Sequence, residues 1–193
     1  MSEVLTIPNM LTLLRLFAIP VFLILLFDLR YREALAIFVA AGITDALDGA
    51  IARLTHTKTT LGAYLDPAAD KLLLMSAFVA LAILQEVPRW VTVVVLSRDV
   101  IQVGGYFLLF TMTGQAMEVR PSAAGKISTF LQITAVAVVL LGRVYPDSVG
   151  QRPESVLFLA TSIVTAFAGL QYMVRGLLWL QGQGTGNGTT DPR

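Results

Sequence analysis

Four aspartates are the residues best placed to do chemistry. Asp45 and Asp48 stand three residues apart near the end of one apolar run, and Asp66 and Asp70 stand four apart near the start of the next. On a helix, either spacing puts the two carboxylates on one face. The short connection between the runs turns the second back along the first as an antiparallel neighbour. All four acids are therefore expected to converge at one depth near a membrane surface. A single aspartate at a helix end reads as a solvated end. Four at facing spacing repel one another in a setting that already disfavours charge, so they call for a positive partner. Divalent cations fit that role. With oxygen ligands and no cysteine in the chain, Mg²⁺ or Mn²⁺ is expected in preference to zinc.

The neighbours of the acids point to a phosphate. Gly49 and Ala52 follow the first pair and Gly62 precedes Asp66 by about one turn, so bulk is missing beside the carboxylates. The same small residues also suit close helix packing, and the two roles are compatible. Arg53 carries a planar fork matched to a diphosphate, and Lys58, Thr59 and Thr60 add donors in the connection. Pro67 would disturb a helix unless that helix begins close to Asp66.

The elements that must position these residues are set by composition. Of 193 residues, 55% are hydrophobic and only 14% charged, with a mean hydropathy of +0.73. A globule of this size has too little interior to hide so much hydrocarbon, which excludes an ordinary water-soluble enzyme. Net charge is +1, too small to draw nucleic acid to the chain as a whole. Six apolar runs near residues 8–28, 33–54, 66–85, 90–112, 125–145 and 154–180 predict an all-α bundle of six transmembrane helices in one domain, residues 1–181. The Gly-rich stretch 182–193 is expected to be a disordered tail. The first run lacks a basic leader and is read as a span, not a removable signal. Basic residues are spread over both sets of loops, so charge counting does not orient the bundle.

The string Asp45-x2-Asp48-Gly49-x2-Ala52-Arg53-x8-Gly62-x3-Asp66-x3-Asp70 resembles the signature of the CDP-alcohol phosphatidyltransferases at all eight defining positions. The segment from Ile7 through Pro8 and Asn9 to Arg15 resembles the opening of bacterial phosphatidylglycerophosphate synthases and of eukaryotic-type cardiolipin synthases. This resemblance implies a six-helix integral membrane enzyme, often a homodimer, in which an alcohol displaces CMP from a CDP-linked lipid such as CDP-diacylglycerol. It implies that Asp45, Asp48, Asp66 and Asp70 hold two divalent metals and that Asp70 is also the base for the attacking hydroxyl. Pro8, Asn9, Gly49, Arg53 and Thr59 would line the CDP moiety, with Gly62 beside them. It also implies that the motif and both termini face the cytoplasm, in a bacterial cell membrane.

The acceptor is expected near further cations: Arg98, inside the fourth apolar run beside Asp99, and Arg120 and Lys126. Arg120 and Lys126 equally suit snorkelling helix ends. An ionisable residue inside a span is functional by default, which singles out Arg98. Ser97-Arg98-Asp99-Val100 resembles the cardiolipin-synthase form, whereas Gly125-Lys126, Thr129 and Gln132 keep the glycerophosphate-enzyme pattern, with Ser128 replacing its second lysine. Glycerol 3-phosphate is the leading acceptor and phosphatidylglycerol the alternative. A transporter using the acids and Arg98 as an ion path is the rival of another class, but its site belongs at the bilayer midplane.

Overall fold

The computed structural model describes the backbone of residues 7–55, 60–113, 122–146 and 153–185. Side chains are described within these segments except at 7–9, 11, 46–55, 60–68, 109–110, 112–113, 153 and 182–185. Among the described residues the chain forms six helices and no strand: α1 (Ile7–Phe27), α2 (Tyr31–Thr55), α3 (Thr60–Ile83), α4 (Arg89–Thr113), α5 (Ala123–Val144) and α6 (Pro153–Thr185). The apolar runs therefore correspond to helices one for one. The largest shift is in α3, which starts at Thr60 and runs through Pro67 instead of beginning beside it, although proline lacks the N–H that would bond the Ala63 carbonyl. Helix α6 continues to Thr185, past the expected boundary at 181.

Arg89–Leu108, Ala123–Val144 and Glu154–Gln181 are long and apolar enough to cross a membrane, and Thr12–Phe27 is a shorter apolar stretch. Large apolar side chains on the outside of the bundle, among them Phe17, Phe107, Phe130 and Val156, are two-thirds exposed or more. In water such a surface would be an aggregation liability; against lipid tails it is at home. The protein is a membrane protein. Its interior is a cluster built on Phe22, Leu26, Phe78, Leu81, Val91 and Leu140, with the Phe22 and Phe38 rings 5.9 Å apart and tilted by 33°.

Helix α1 packs extensively on both α2 and α3, and among the described residues it, more than direct contact, joins those two helices. Helices α4 and α5 both pack on α6. Between α5 and α6 three buried polar side chains pair: the Ser128 and Thr165 hydroxyls meet at 2.8 Å, and Gln132 Nε2 donates to both at 3.1 and 3.2 Å. In lipid such bonds fix which helix faces meet.

At the end of the bundle away from the aspartates, α1 and α3 finish in matching turns. Leu29 N–H donates to the Leu26 carbonyl and Arg30 N–H to Leu25. Gln85 N–H donates to Ala82 and Glu86 N–H to Leu81. Both are Schellman closures, which place one residue in the left-handed region. Here these are Leu29 (φ 60°) and Gln85 (φ 61°), where glycine is the usual choice. Replacing Gln85 with glycine is therefore expected to stabilise the protein by about 0.5–1 kcal/mol, since relief of the backbone exceeds the added unfolded-state entropy. A thermal midpoint in detergent that fails to rise would contradict this.

Glu86 then ties three elements together. It accepts from the Tyr31 hydroxyl at 3.0 Å and pairs with Arg143 at the end of α5. Burial, and next the bond to Glu86, hold the Tyr31 phenol above its ordinary pKa, so it remains a donor.

Candidate active site

The register of the first three helices can be counted from their far ends at about 1.5 Å per residue. Arg15 lies about 18 Å along α1 from Phe27, Asp45 about 21 Å along α2 from Tyr31, and Asp70 about 20 Å along α3 from Ile83. The three share one level. Asp48 and Asp66 lie one turn further on, both at about 26 Å; their side chains fall outside the described residues.

Arg15 makes the junction. Its side chain is 1% exposed, and its Nη1 donates to Asp70 Oδ1 at 2.9 Å while standing 3.4 Å from Asp45 Oδ1. The two carboxylates are themselves 45% and 38% exposed. A buried fork on α1 thus draws one acid from α2 and one from α3 to a common point while leaving both open on the other side. No group of three possible metal ligands forms among the described residues. The oxygen-only donors that are described, gathered within 3.4 Å of one cationic nitrogen, fit a hard divalent ion.

From this point an apolar groove of about 360 Å³ runs between α1 and α2. Phe17, Ala18, Val21, Ile37 and Ala41 line it, and Arg15 and Thr44 close its polar end. Thr44 directs its hydroxyl to the Ala41 carbonyl at 2.9 Å.

A second charged cluster joins α3 to α4. Arg98, 11% exposed, donates from Nη1 to Asp99 Oδ1 at 2.6 Å. Lys71, next in sequence to Asp70, stands 3.8 Å from the same oxygen and donates to Gln102 Oε1 at 3.1 Å. Asp99 is 3% exposed. The Arg98 stem lies along Gly169 of α6, where an added Cβ would touch it at 3.4 Å, and a Cβ added at Gly125 in the first turn of α5 would lie 3.4 Å from its Nη2. That turn is capped by Ser122, whose hydroxyl accepts from Gly125 N–H at 3.0 Å. Lys126 is exposed beside it.

Of the expected site residues, the structure thus brings Asp45 and Asp70 together and sets Arg98 near Lys126. Pro8, Asn9, Gly49, Arg53 and Gly62 lie within α1, α2 and α3, but their side chains fall outside the described residues, as do Thr59 and Arg120 altogether. Sequence reasoning assigned no role to Arg15, Lys71 or Asp99. All three are charges inside helices of apolar composition, the signal by which Arg98 was selected.

Among the described residues, six helices with Asp45 and Asp70 gathered on Arg15 and an apolar groove beside them define a helical membrane protein. The CDP-alcohol phosphatidyltransferase family matches residues 5–174, and the chain belongs to that family. It is 35% identical over 182 residues to a probable phosphatidylglycerophosphate synthase of Mycobacterium tuberculosis, covering 91% of this chain and 84% of that protein. It is 35% identical over 150 residues to the CDP-diacylglycerol–glycerol-3-phosphate 3-phosphatidyltransferase of Bacillus subtilis, covering 70% and 76%. A cardiolipin synthase (CMP-forming) of Rattus norvegicus is 31% identical over 184 residues, covering 86% and 60%.

Proposed function

We infer that the protein transfers a phosphatidyl group from CDP-diacylglycerol to glycerol 3-phosphate, releasing CMP. The observation that carries this reading is the gathering of Asp45 and Asp70 on the buried Arg15, within a chain that matches its family over residues 5–174. Bound by Asp45, Asp48, Asp66 and Asp70, two Mg²⁺ or Mn²⁺ ions would supply charge neutralisation at the diphosphate. The chain's own residues do the rest. Arg53 and Thr59, with Pro8, Asn9, Gly49 and Gly62, hold the CDP portion, and the groove between α1 and α2 takes an acyl chain of the donor. Asp70 accepts the proton of the attacking hydroxyl as its oxygen bonds to the lipid-side phosphorus and CMP departs. Arg15 keeps the Asp45 and Asp70 oxygens at a fixed separation. Arg98, Lys126 and Arg120 bind the acceptor phosphate. The acid end of the bundle and both termini face the cytoplasm of a bacterial membrane, and the working unit is a homodimer.

Phosphatidylglycerol as acceptor, giving cardiolipin, is the second reading. It is favoured by Ser97-Arg98-Asp99 and by the buried Arg98–Asp99 pair, which sets the acceptor cation within the helices.

The test is to supply purified protein with CDP-diacylglycerol, Mg²⁺ or Mn²⁺ and each alcohol separately, and to identify the lipid formed. Formation of phosphatidylglycerophosphate supports the first reading and cardiolipin the second; no CMP with either alcohol overturns both. Arg98→Ala is expected to raise the acceptor KM about tenfold or more, the loss of a charge-assisted bond, with less effect on the KM for the CDP-lipid. An equal effect on both would remove Arg98 from the acceptor site.

A further inference from the structure

The end of the bundle opposite the aspartates contains a cavity of about 390 Å³ between the α1–α2 turn and the C-terminal end of α5. Arg30, Tyr31, Arg32, Glu33, Arg143 and Tyr145 supply its polar wall. We propose that this cavity binds the phosphodiester headgroup of an anionic phospholipid in the leaflet facing away from the active site.

Charge comes first. Three guanidinium groups face one carboxylate in the lining, and Glu86 pairs with one of them, Arg143, from behind. Arg30 pairs with Glu33 at 3.0 Å, but both are about half exposed, so that pair is weakly held and its donors can be shared. Arg32 has neither a hydrogen bond nor an ion pair among the described residues. Arginine forks match phosphate oxygens in pairs.

The walls are fixed before any ligand arrives. Leu29, held at φ 60°, sets the path into Tyr31. Glu86 pins Tyr31 and Arg143 from behind. A site with its cations already placed loses less freedom on binding.

The surroundings favour a lipid over a free anion. Phe27, Leu29, Leu141 and Tyr145 are exposed on the bundle surface at this end, where acyl chains would continue from a seated headgroup. Tyrosines at the headgroup level are characteristic of that boundary. The volume lies in the range of small-ligand sites. Nothing in the reaction proposed above uses this end, so the inference stands apart from that reading.

The test follows the thermal midpoint of the full-length protein in a neutral detergent, with native mass spectrometry to count bound lipid. Phosphatidylserine is the probe, because it is neither donor nor acceptor in either reading; phosphatidylcholine and inorganic phosphate are the comparisons. Phosphatidylserine is expected to raise the midpoint and to be retained, with phosphatidylcholine doing neither. In Arg32→Ala its apparent affinity is expected to fall about tenfold or more, with Arg32→Lys intermediate and turnover of CDP-diacylglycerol in the absence of phosphatidylserine unchanged. Equal effects of the two lipids, full retention of the response in Arg32→Ala, or an equal shift from inorganic phosphate would each overturn the proposal.

Discussion

Asp70→Asn is expected to lower metal-dependent CMP release by about 10²- to 10⁴-fold, the usual contribution of a positioned general base. The amide keeps an oxygen that can accept from Arg15 Nη1, so the 2.9 Å contact that anchors α1 to α3 has a neutral substitute. The fold should persist, with a thermal midpoint close to that of the unmodified protein. What is lost is the ability to take a proton and one negative charge from the acid set. Activity within tenfold of the unmodified level would remove Asp70 from the role of base. Asp66→Asn, which removes one proposed cation ligand, should abolish activity at ordinary metal concentrations; activity at the unmodified level would defeat the metal assignment.

Arg15→Met is expected to damage both stability and turnover. Breaking a buried ion pair by removing one partner costs about 3–5 kcal/mol. Here the cation is 1% exposed but its partners are 45% and 38% exposed, so solvent relieves part of their repulsion and about 1–3 kcal/mol is the fitting range. Thermal unfolding in detergent checks it. Turnover should fall by about 10²-fold, because displacing a catalytic group by about 1 Å has that effect. Arg15→Lys keeps the charge but loses the rigid guanidinium whose Nη1 stands between the two carboxylates, and should restore stability more than activity. A fully active Arg15→Met protein would show that the acids hold their positions without the Arg15 guanidinium.

Much of this arrangement is legible from residue types and spacing. The helices declare themselves because a span needs a long, mostly apolar run, and α4, α5 and α6 have one. The acids declare themselves because Asp45 and Asp70 stand where hydrocarbon is expected. What was less legible follows from long-range packing. The short connection made α2 and α3 direct neighbours, yet α1 is the element that joins them, and no local pattern announces which helix will lie across a pair. Spacing gives Arg15 no role for the same reason, since its partners are 30 and 55 positions away. Ser128 illustrates the opposite difficulty. Read beside Lys126 it bears on the acceptor, but in the structure it faces Thr165 across a helix contact, so its identity reports on packing. The two readings of the acceptor therefore part at Arg98 and Lys126 and not at Ser128.

The clasp at Glu86 has a consequence for biogenesis. Its partners come from the second and fifth helices, so it cannot close until five segments have left the ribosome and entered the bilayer. Arg15, Asp45 and Asp70 need only three. The end that carries Asp45 and Asp70 can thus gather early in synthesis while the far end stays loose until the fifth segment arrives, and the sixth, which packs on α4 and α5, completes the bundle.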